Sequence, residues 1–190
     1  MNKLRVALFI FISVIITSGL LFFLLIGWNI DLDEQDENIV DKGIVEPKVN
    51  KVVFYLYFPD KCFNHLETEE RVFIKNDDAV EIGKNIVEEL IKGPSKEKFI
   101  PPFPNNIFLK AFYITKEETA YVDLSDSVKT SGHYDASLEL LAVYSIVNSL
   151  TLNIPEIKTV KILVDGNESL TLAGHIDLRF PFSANMLLIR

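Results

Sequence analysis

The sequence predicts an α+β domain carried behind one membrane-spanning helix. Three observations predict it. A single uncharged run near the start is long enough to cross a bilayer. Past residue 50 the chain switches repeatedly between strand-type and helix-type patterns, in the order β-(β)-α-β-β-α-β-β. Short polar turns join the strands as hairpins, which calls for a mixed β-sheet with two helices packed on one face. Composition agrees: 24% charged residues and eight each of Gly and Pro exclude a disordered, collagenous or low-complexity chain. The net charge of -8 leaves no basic surplus for phosphates, so nucleic acid is excluded as a partner.

The chain opens with residues 1–5, which carry Lys3 and Arg5. Residues 6–28 contain no charge over 23 positions, about 34 Å as a helix. Acids follow at Asp31, Asp33, Glu34, Asp36 and Glu37, so positive charge stays on the cytoplasmic side and the rest of the chain lies outside. The rival reading is a cleaved signal peptide. Its apolar core is shorter and ends at a small-residue site, whereas Thr17-Ser18-Gly19 falls in mid-run here. The expectation is an uncleaved single-pass anchor in the cytoplasmic membrane, with Trp28 at the interface. This anchor also explains why an acidic chain has a mean hydropathy of +0.21.

Residues 29–50 carry seven acids against Lys42 and Lys48, with no apolar periodicity, and read as a solvated tether. Residues 51–182 form the domain and residues 183–190 a C-terminal tail. The lone cysteine, Cys62, precludes an internal disulfide and reads as a small filler in a loop.

Within the domain, Val52–Phe58 is a β-branched and aromatic run stopped by Pro59, expected as a strand buried on both faces. A shorter extended piece near Arg71–Ile74 pairs nearby. Asp78 opens the first helix, with Glu81 at the spacing of a reciprocal cap. Ala79, Ile82, Gly83, Ile86, Val87 and Leu90 form its stripe, and Gly93-Pro94 ends it. The prolines at 101, 102 and 104 make a stiff loop. Ile107, Leu109, Ala111 and Tyr113 share one face of a strand. After a turn at Glu117-Glu118, Ala120, Val122 and Leu124 face inward on the next. The second helix runs from Ala136 to Leu150 behind an Asp135 cap. It is apolar around nearly its whole circumference, as in a helix that is buried or packed on two partners, a first hint of a surface meant for something else. Ile157–Val164 alternates, Asp165-Gly166-Asn167 turns, and Leu170–Leu172 is the expected return strand.

Chemical motifs are sparse. No phosphate loop, dinucleotide fingerprint, nucleophile elbow or metal-type His/Cys spacing is present, so no catalytic residue, cofactor or metal is assigned. Among His65, His133 and His175, only His175 has a nearby acid, Asp177, on the same face if both lie in a strand. That pair fits a base or a metal ligand. It fits better a histidine that caps the last hairpin through backbone hydrogen bonds, since His-x-Asp alone is a weak motif. Tyr121, Tyr134 and Phe103 offer aromatic faces for sugar stacking.

Five segments in order carry a family resemblance. They are Val53–Asp60, Glu88–Pro94, Ala120–Ser125, Glu139–Thr151 and Leu170–Leu178. Together they resemble the GerMN domain family of sporulation and spore germination proteins. The resemblance implies a membrane-tethered, extracytoplasmic, non-catalytic domain, similar in fold to the ring-building-motif modules of secretion and sporulation machines. It marks Gly93, Pro94, Asp123, Tyr144, Asn148, Gly174, His175 and Asp177 as motif residues, mostly structural. The expected partners are envelope proteins or further copies of the chain, with cell-wall glycan or peptide as the alternative.

Overall fold

The structure, a computed structural model, describes residues 50–127 and 135–190. The uncharged run at 6–28, most of the tether, His133 and Tyr134 lie outside the described residues. No helix among the described residues is long and apolar enough to cross a membrane.

Strands β1 (Lys51–Pro59) and β2 (Leu66–Ile74) pair antiparallel as a two-stranded ribbon. Helix α1 (Ala79–Lys92) leads to β3 (Leu109–Ile114) and β4 (Thr119–Leu124), an antiparallel hairpin. Helix α2 (Ala136–Thr151) carries the chain from β4 to β5 (Thr159–Val164), which pairs with β4 in parallel. The two-residue β6 (Asn167–Glu168) closes a four-stranded mixed sheet in the order β3-β4-β5-β6, and a 3-10 turn (Met186–Leu188) ends the chain. The α+β class and the element order match the sequence expectation. The strands, however, make two sheets rather than one, because β1 pairs only with β2.

The two helices touch each other; α1 packs on β3 and β1, and α2 on β1 and β5. The core between these elements holds Leu56, Phe58, Ile86, Leu90, Val122, Ile146 and Ile162. Each such side chain contributes roughly 1.5–3 kcal/mol on burial. At Gly83 the helix backbone lies so close to the Phe112 ring that a methyl group there would occupy the ring's space.

Several local expectations are corrected. Strand β1 is buried on both faces only from Leu56 onward; Val53 and Tyr55 are exposed on the outer face of the ribbon. Strand β2 is nine residues long, hidden from the sequence by its four charges in LETEERVFI. Asp78 does cap α1, accepting from the Val80 N–H at 2.9 Å, but Glu81 turns away to Lys84 and the Asp78 N–H donates to Asn76 Oδ1 instead. A bulge between Leu109 and Ala111 reverses the facing of β3, so Phe112 points inward and Tyr113 outward, where it stacks on Tyr121 at 4.8 Å. Phe103 is buried and Cys62 is exposed in a turn, each the reverse of the sequence reading.

The most consequential correction concerns α2. Ten of its sixteen residues are buried, four of them polar or charged (Glu139, Ser145, Asn148 and Ser149). Its all-round apolarity is consumed inside its own domain, leaving no spare face for a partner. Glu139, Asn148 and Ser149 serve backbone, while Ser145 Oγ is buried without a hydrogen-bond partner among the described residues. Ser149 Oγ accepts the Tyr57 N–H at 3.0 Å. Just past the helix, Asn153 takes both the N–H and the C=O of Tyr55, at 2.9 and 2.7 Å. At Tyr55 and Tyr57 the outer edge of β1 is thereby covered by side chains in place of a third strand.

Candidate functional site

Glu139 sits in the first turn of α2, which Asp135 caps by accepting the Leu138 N–H at 2.8 Å. Its side chain has no exposure. Oε1 accepts the N–H groups of Leu172 and Ala173, both at 2.9 Å. Oε2 accepts the His175 N–H at 2.8 Å and lies 2.9 Å from His175 Nδ1. Burial pushes the Glu139 pKa up, but the Ala173 and His175 amides, the His175 ring and the Ile176 amide outweigh it, so the carboxyl titrates below its usual range. With Nδ1–H directed at the carboxylate, Nε2 is the lone-pair nitrogen of the neutral ring.

This carboxylate replaces the expected return strand. The amides of Leu172, Ala173 and His175, which would have joined a sheet ladder, converge on one acid and curl the chain into a loop. Gly174 supports the curl with φ 109°, a backbone setting that side chains resist. His175 and Asp177 therefore do not share a strand face. Asp177 bonds Arg179 through the Arg179 N–H (3.0 Å) and guanidinium (2.8 Å), and Arg179 holds its carboxyl down to about 2. A shallow cavity of about 330 Å³ lies here, lined by Leu170, Thr171, His175, Asp177 and Arg179.

A buried acid orienting a half-exposed imidazole is one part of a general-base arrangement. The other parts are not assembled here. Thr171 Oγ, the hydroxyl in the cavity, accepts the Gly174 N–H at 3.0 Å, and Asp177 is committed to Arg179. No group of three or more His, Cys, Asp or Glu side chains placed to hold a metal ion occurs among the described residues. What the geometry does is hold the 170–178 loop on α2.

The remaining motif residues also fasten segments. Asn148, fully buried, donates from Nδ2 to the Asn185 C=O at 3.1 Å and accepts the Asn185 N–H at 2.9 Å. This clamp docks residues read from the sequence as a tail: Leu188 and Ile189 pack with Tyr57, Leu66 and Leu141, and the Arg190 N–H reaches the Leu66 C=O at 3.0 Å. Tyr144 meets Phe182 edge-on at 5.8 Å. Asp123, buried at the end of β4, accepts the Gly166 N–H at 2.8 Å and fixes the β5–β6 turn. Gly93 ends α1 with φ 89° and ψ 177°, outside the left-handed helical well, and is followed by Pro94. Its C=O accepts from Arg71 at 2.9 Å.

Arg71 belongs to a second hub that no motif announced. It also contacts Glu89 at 2.7 Å and Glu69 at 2.6 Å. Glu69, 1% exposed, accepts from Ser95 Oγ at 2.7 Å and from the Lys96 N–H at 3.0 Å. Burial raises its pKa; the Ser95, Arg71 and Lys96 donors more than reverse this and bring it to about 2.

The fold and its hubs define an α+β module whose buried polar side chains anchor its own loops, strand edges and terminus. By sequence, the chain belongs to the Germane family, described as sporulation and spore germination, whose model matches residues 55–170. No curated protein matches it. Among solved structures it is similar to a candidate lipoprotein from Clostridium perfringens, with TM-score 0.50 and 25% identity over 70% of this chain and 87% of that one. It is similar in fold to the first GerMN domain of the sporulation protein GerM from Bacillus subtilis, with TM-score 0.54 and 20% identity over 72% of this chain and 98% of that one. Against the tandem GerMN domains of the same protein the TM-score is 0.56 at 22% identity, covering 72% of this chain and 46% of the tandem chain.

Proposed function

We propose that this protein is a membrane-anchored, extracytoplasmic interaction module. In this reading it assembles or positions an envelope complex related to sporulation or germination, through protein partners or further copies of itself. The observation that carries the reading is the outer face of the β1–β2 ribbon. Val53 stands opposite Val72, flanked by Tyr55 and Ile74, and their exposures run from 43% to 73%. A contiguous apolar patch left uncovered on a small domain marks a contact surface. The uncharged run at 6–28 supports the anchor, and the acidic tether supports a domain held off the bilayer. The likeness to a candidate lipoprotein agrees with an envelope location. A non-catalytic role is supported by the engagement of His175 with Glu139 and of Asp177 with Arg179.

Two experiments test this. Cys62 is the chain's one thiol and is exposed, so a membrane-impermeant maleimide labels it in intact cells if the domain is outside; labelling only after permeabilisation reverses the topology. A photo-crosslinker at Tyr55 traps a discrete adduct in the native host, and absence of any adduct refutes the interaction role. The glycan alternative rests on the Tyr113–Tyr121 stack, 4.8 Å apart and within 7° of parallel on the outer side of β3–β4. Retention on purified sacculi, lost in Tyr113→Ala, would favour it.

A further inference from the structure

The hydrogen-bond phase of the ribbon is fixed by its two ends. The Lys75 N–H donates to the Asn50 C=O at 2.8 Å, and the Asp60 N–H to the His65 C=O at 3.0 Å. Alternation along an antiparallel pair then turns the N–H and C=O groups of 67, 69, 71 and 73 toward β1. Those of Leu66, Thr68, Glu70, Val72 and Ile74 point to the far edge of β2. The two edges of the ribbon differ in how far they are covered: β1 from Tyr55 to Pro59, β2 at Leu66. On β1 the outward groups of Tyr55, Tyr57 and Pro59 are taken by Asn153, Ser149 and the Ile100 N–H. On β2, among the described residues, the terminal ones cover only Leu66, through Ile189 and Arg190.

Thr68 and Glu70 give the next stretch a polar outer face, which discourages pairing. Beyond them Val72 and Ile74, 64% and 73% exposed, present an apolar face on an open backbone edge. Beside this piece runs a groove of about 360 Å³, between Val72–Asn76 and the α1 side chains Asn85, Glu88, Glu89 and Lys92. Glu89 is committed to Arg71 and Lys92, and Lys75, which also lines the groove, pairs with Asp77 at 3.5 Å. Glu88 forms no ion pair among the described residues and is exposed at the groove wall.

We propose that the 72–74 edge of β2 docks an extended partner segment in which apolar side chains alternate with basic ones. The segment adds a third strand to the ribbon. Its main chain bonds the outward groups of Val72 and Ile74, its apolar side chains continue the Val53–Val72 face, and its basic side chains enter the groove at Glu88. Charge selects this occupant. Residues 51–190 hold 15 basic against 20 acidic side chains, and a second copy of the chain would bring its own Glu70 and Glu88 to the same seam. The inference rests on the interaction-module reading and names its docking edge.

The test uses the full-length chain in nonionic detergent and a fluorescent peptide of about ten residues alternating valine and lysine, with a valine–glutamate peptide as control. The lysine peptide is expected to bind about tenfold or more tighter than the control and to slow amide exchange at Val72 and Ile74. Val72→Pro removes an outward N–H and no ladder bond, so it leaves the pairing with β1 intact and abolishes binding. Glu88→Lys, on an exposed helix face, reverses the preference between the peptides. Binding that survives Val72→Pro, equal binding of both peptides, or no slowed exchange at 72–74 overturns the proposal. So does a concentration-dependent dimer that Val72→Pro dissolves, which would make a second copy the occupant. Crosslinking from Tyr55 in cells separates the two readings: an adduct that persists in Val72→Pro sinks the edge and keeps the module, while loss of every adduct in the unaltered chain sinks both.

Discussion

Replacing Glu139 by glutamine tests whether one carboxylate holds the 170–178 loop. The amide keeps an oxygen for the Leu172 and Ala173 N–H groups but puts an NH2 where Oε2 received the His175 N–H and its ring. Two charge-assisted bonds are lost, and the His175 amide faces a donor. Bonds to a buried charge are worth about 1.5–3 kcal/mol each, and the His175 ring can turn to solvent, so the net cost is about 3 kcal/mol. For a domain of about 140 residues this lowers the melting temperature by about 10 °C. Circular dichroism of the full chain in detergent reads the melting, and hydrogen exchange resolved by mass spectrometry reads the loop. Exchange should accelerate across 170–178 while β5 is unchanged. His175→Ala, which spares the backbone bonds, should cost only about 1 kcal/mol. A Glu139→Gln protein that melts within about 2 °C of the unaltered chain, with the loop still protected, would refute the reasoning.

Other outcomes follow from the same contacts. Glu69 has its pKa depressed from 4.5 to about 2, so its contribution is complete above the ordinary carboxyl pKa and fades as pH falls from there toward 2. The loss is about 3 kcal/mol across that window, and Glu69→Gln should flatten this part of an acid-denaturation curve. Gly83→Ala forces a methyl into the Phe112 ring and should cost about 1–3 kcal/mol, most of it recovered by adding Phe112→Leu. Asn148→Ala unclamps Asn185 and should cost about 2 kcal/mol, with carboxypeptidase removing residues past 184 faster; an unchanged digestion rate would mean that Leu188 and Ile189 suffice.

Much of the fold was legible because apolar periodicity and punctuation agree. The stripe from Ala79 to Leu90, the Asp78 and Asp135 caps, and the Asp165-Gly166 turn each state their element locally. What was not legible depends on partners far along the chain. Strand β2 looks polar because Glu69 and Arg71 face a helix end rather than water. The bulge at Leu109–Ala111 inverted a correct alternation. The 170–172 segment has strand residues, yet its amides are claimed by an acid 33 residues earlier. Glu139 did leave a trace, as the one charged residue between Ala136 and Thr151. A lone acid inside an apolar helix signals a buried polar hub. The reading of α2 as a partner surface failed for a related reason: apolarity on every side describes a helix surrounded by its own domain as well as one awaiting another.

The way the ribbon is fastened has a mechanical meaning. Tension arriving from the N-terminal side of the chain enters at Lys51, while the C-terminal Arg190 is bonded at Leu66, the opposite end of the ribbon. Pulling between these points runs along the strands, so the ladder bonds of the alternate pairs Val52–Phe73, Phe54–Arg71, Leu56–Glu69 and Phe58–Glu67, and those that Asn153 and Ser149 make to β1, share the load in shear. Such a joint fails only when many bonds break together, whereas a hairpin pulled from one end unzips bond by bond. The first strand pair of the described residues is thus laid out to withstand traction.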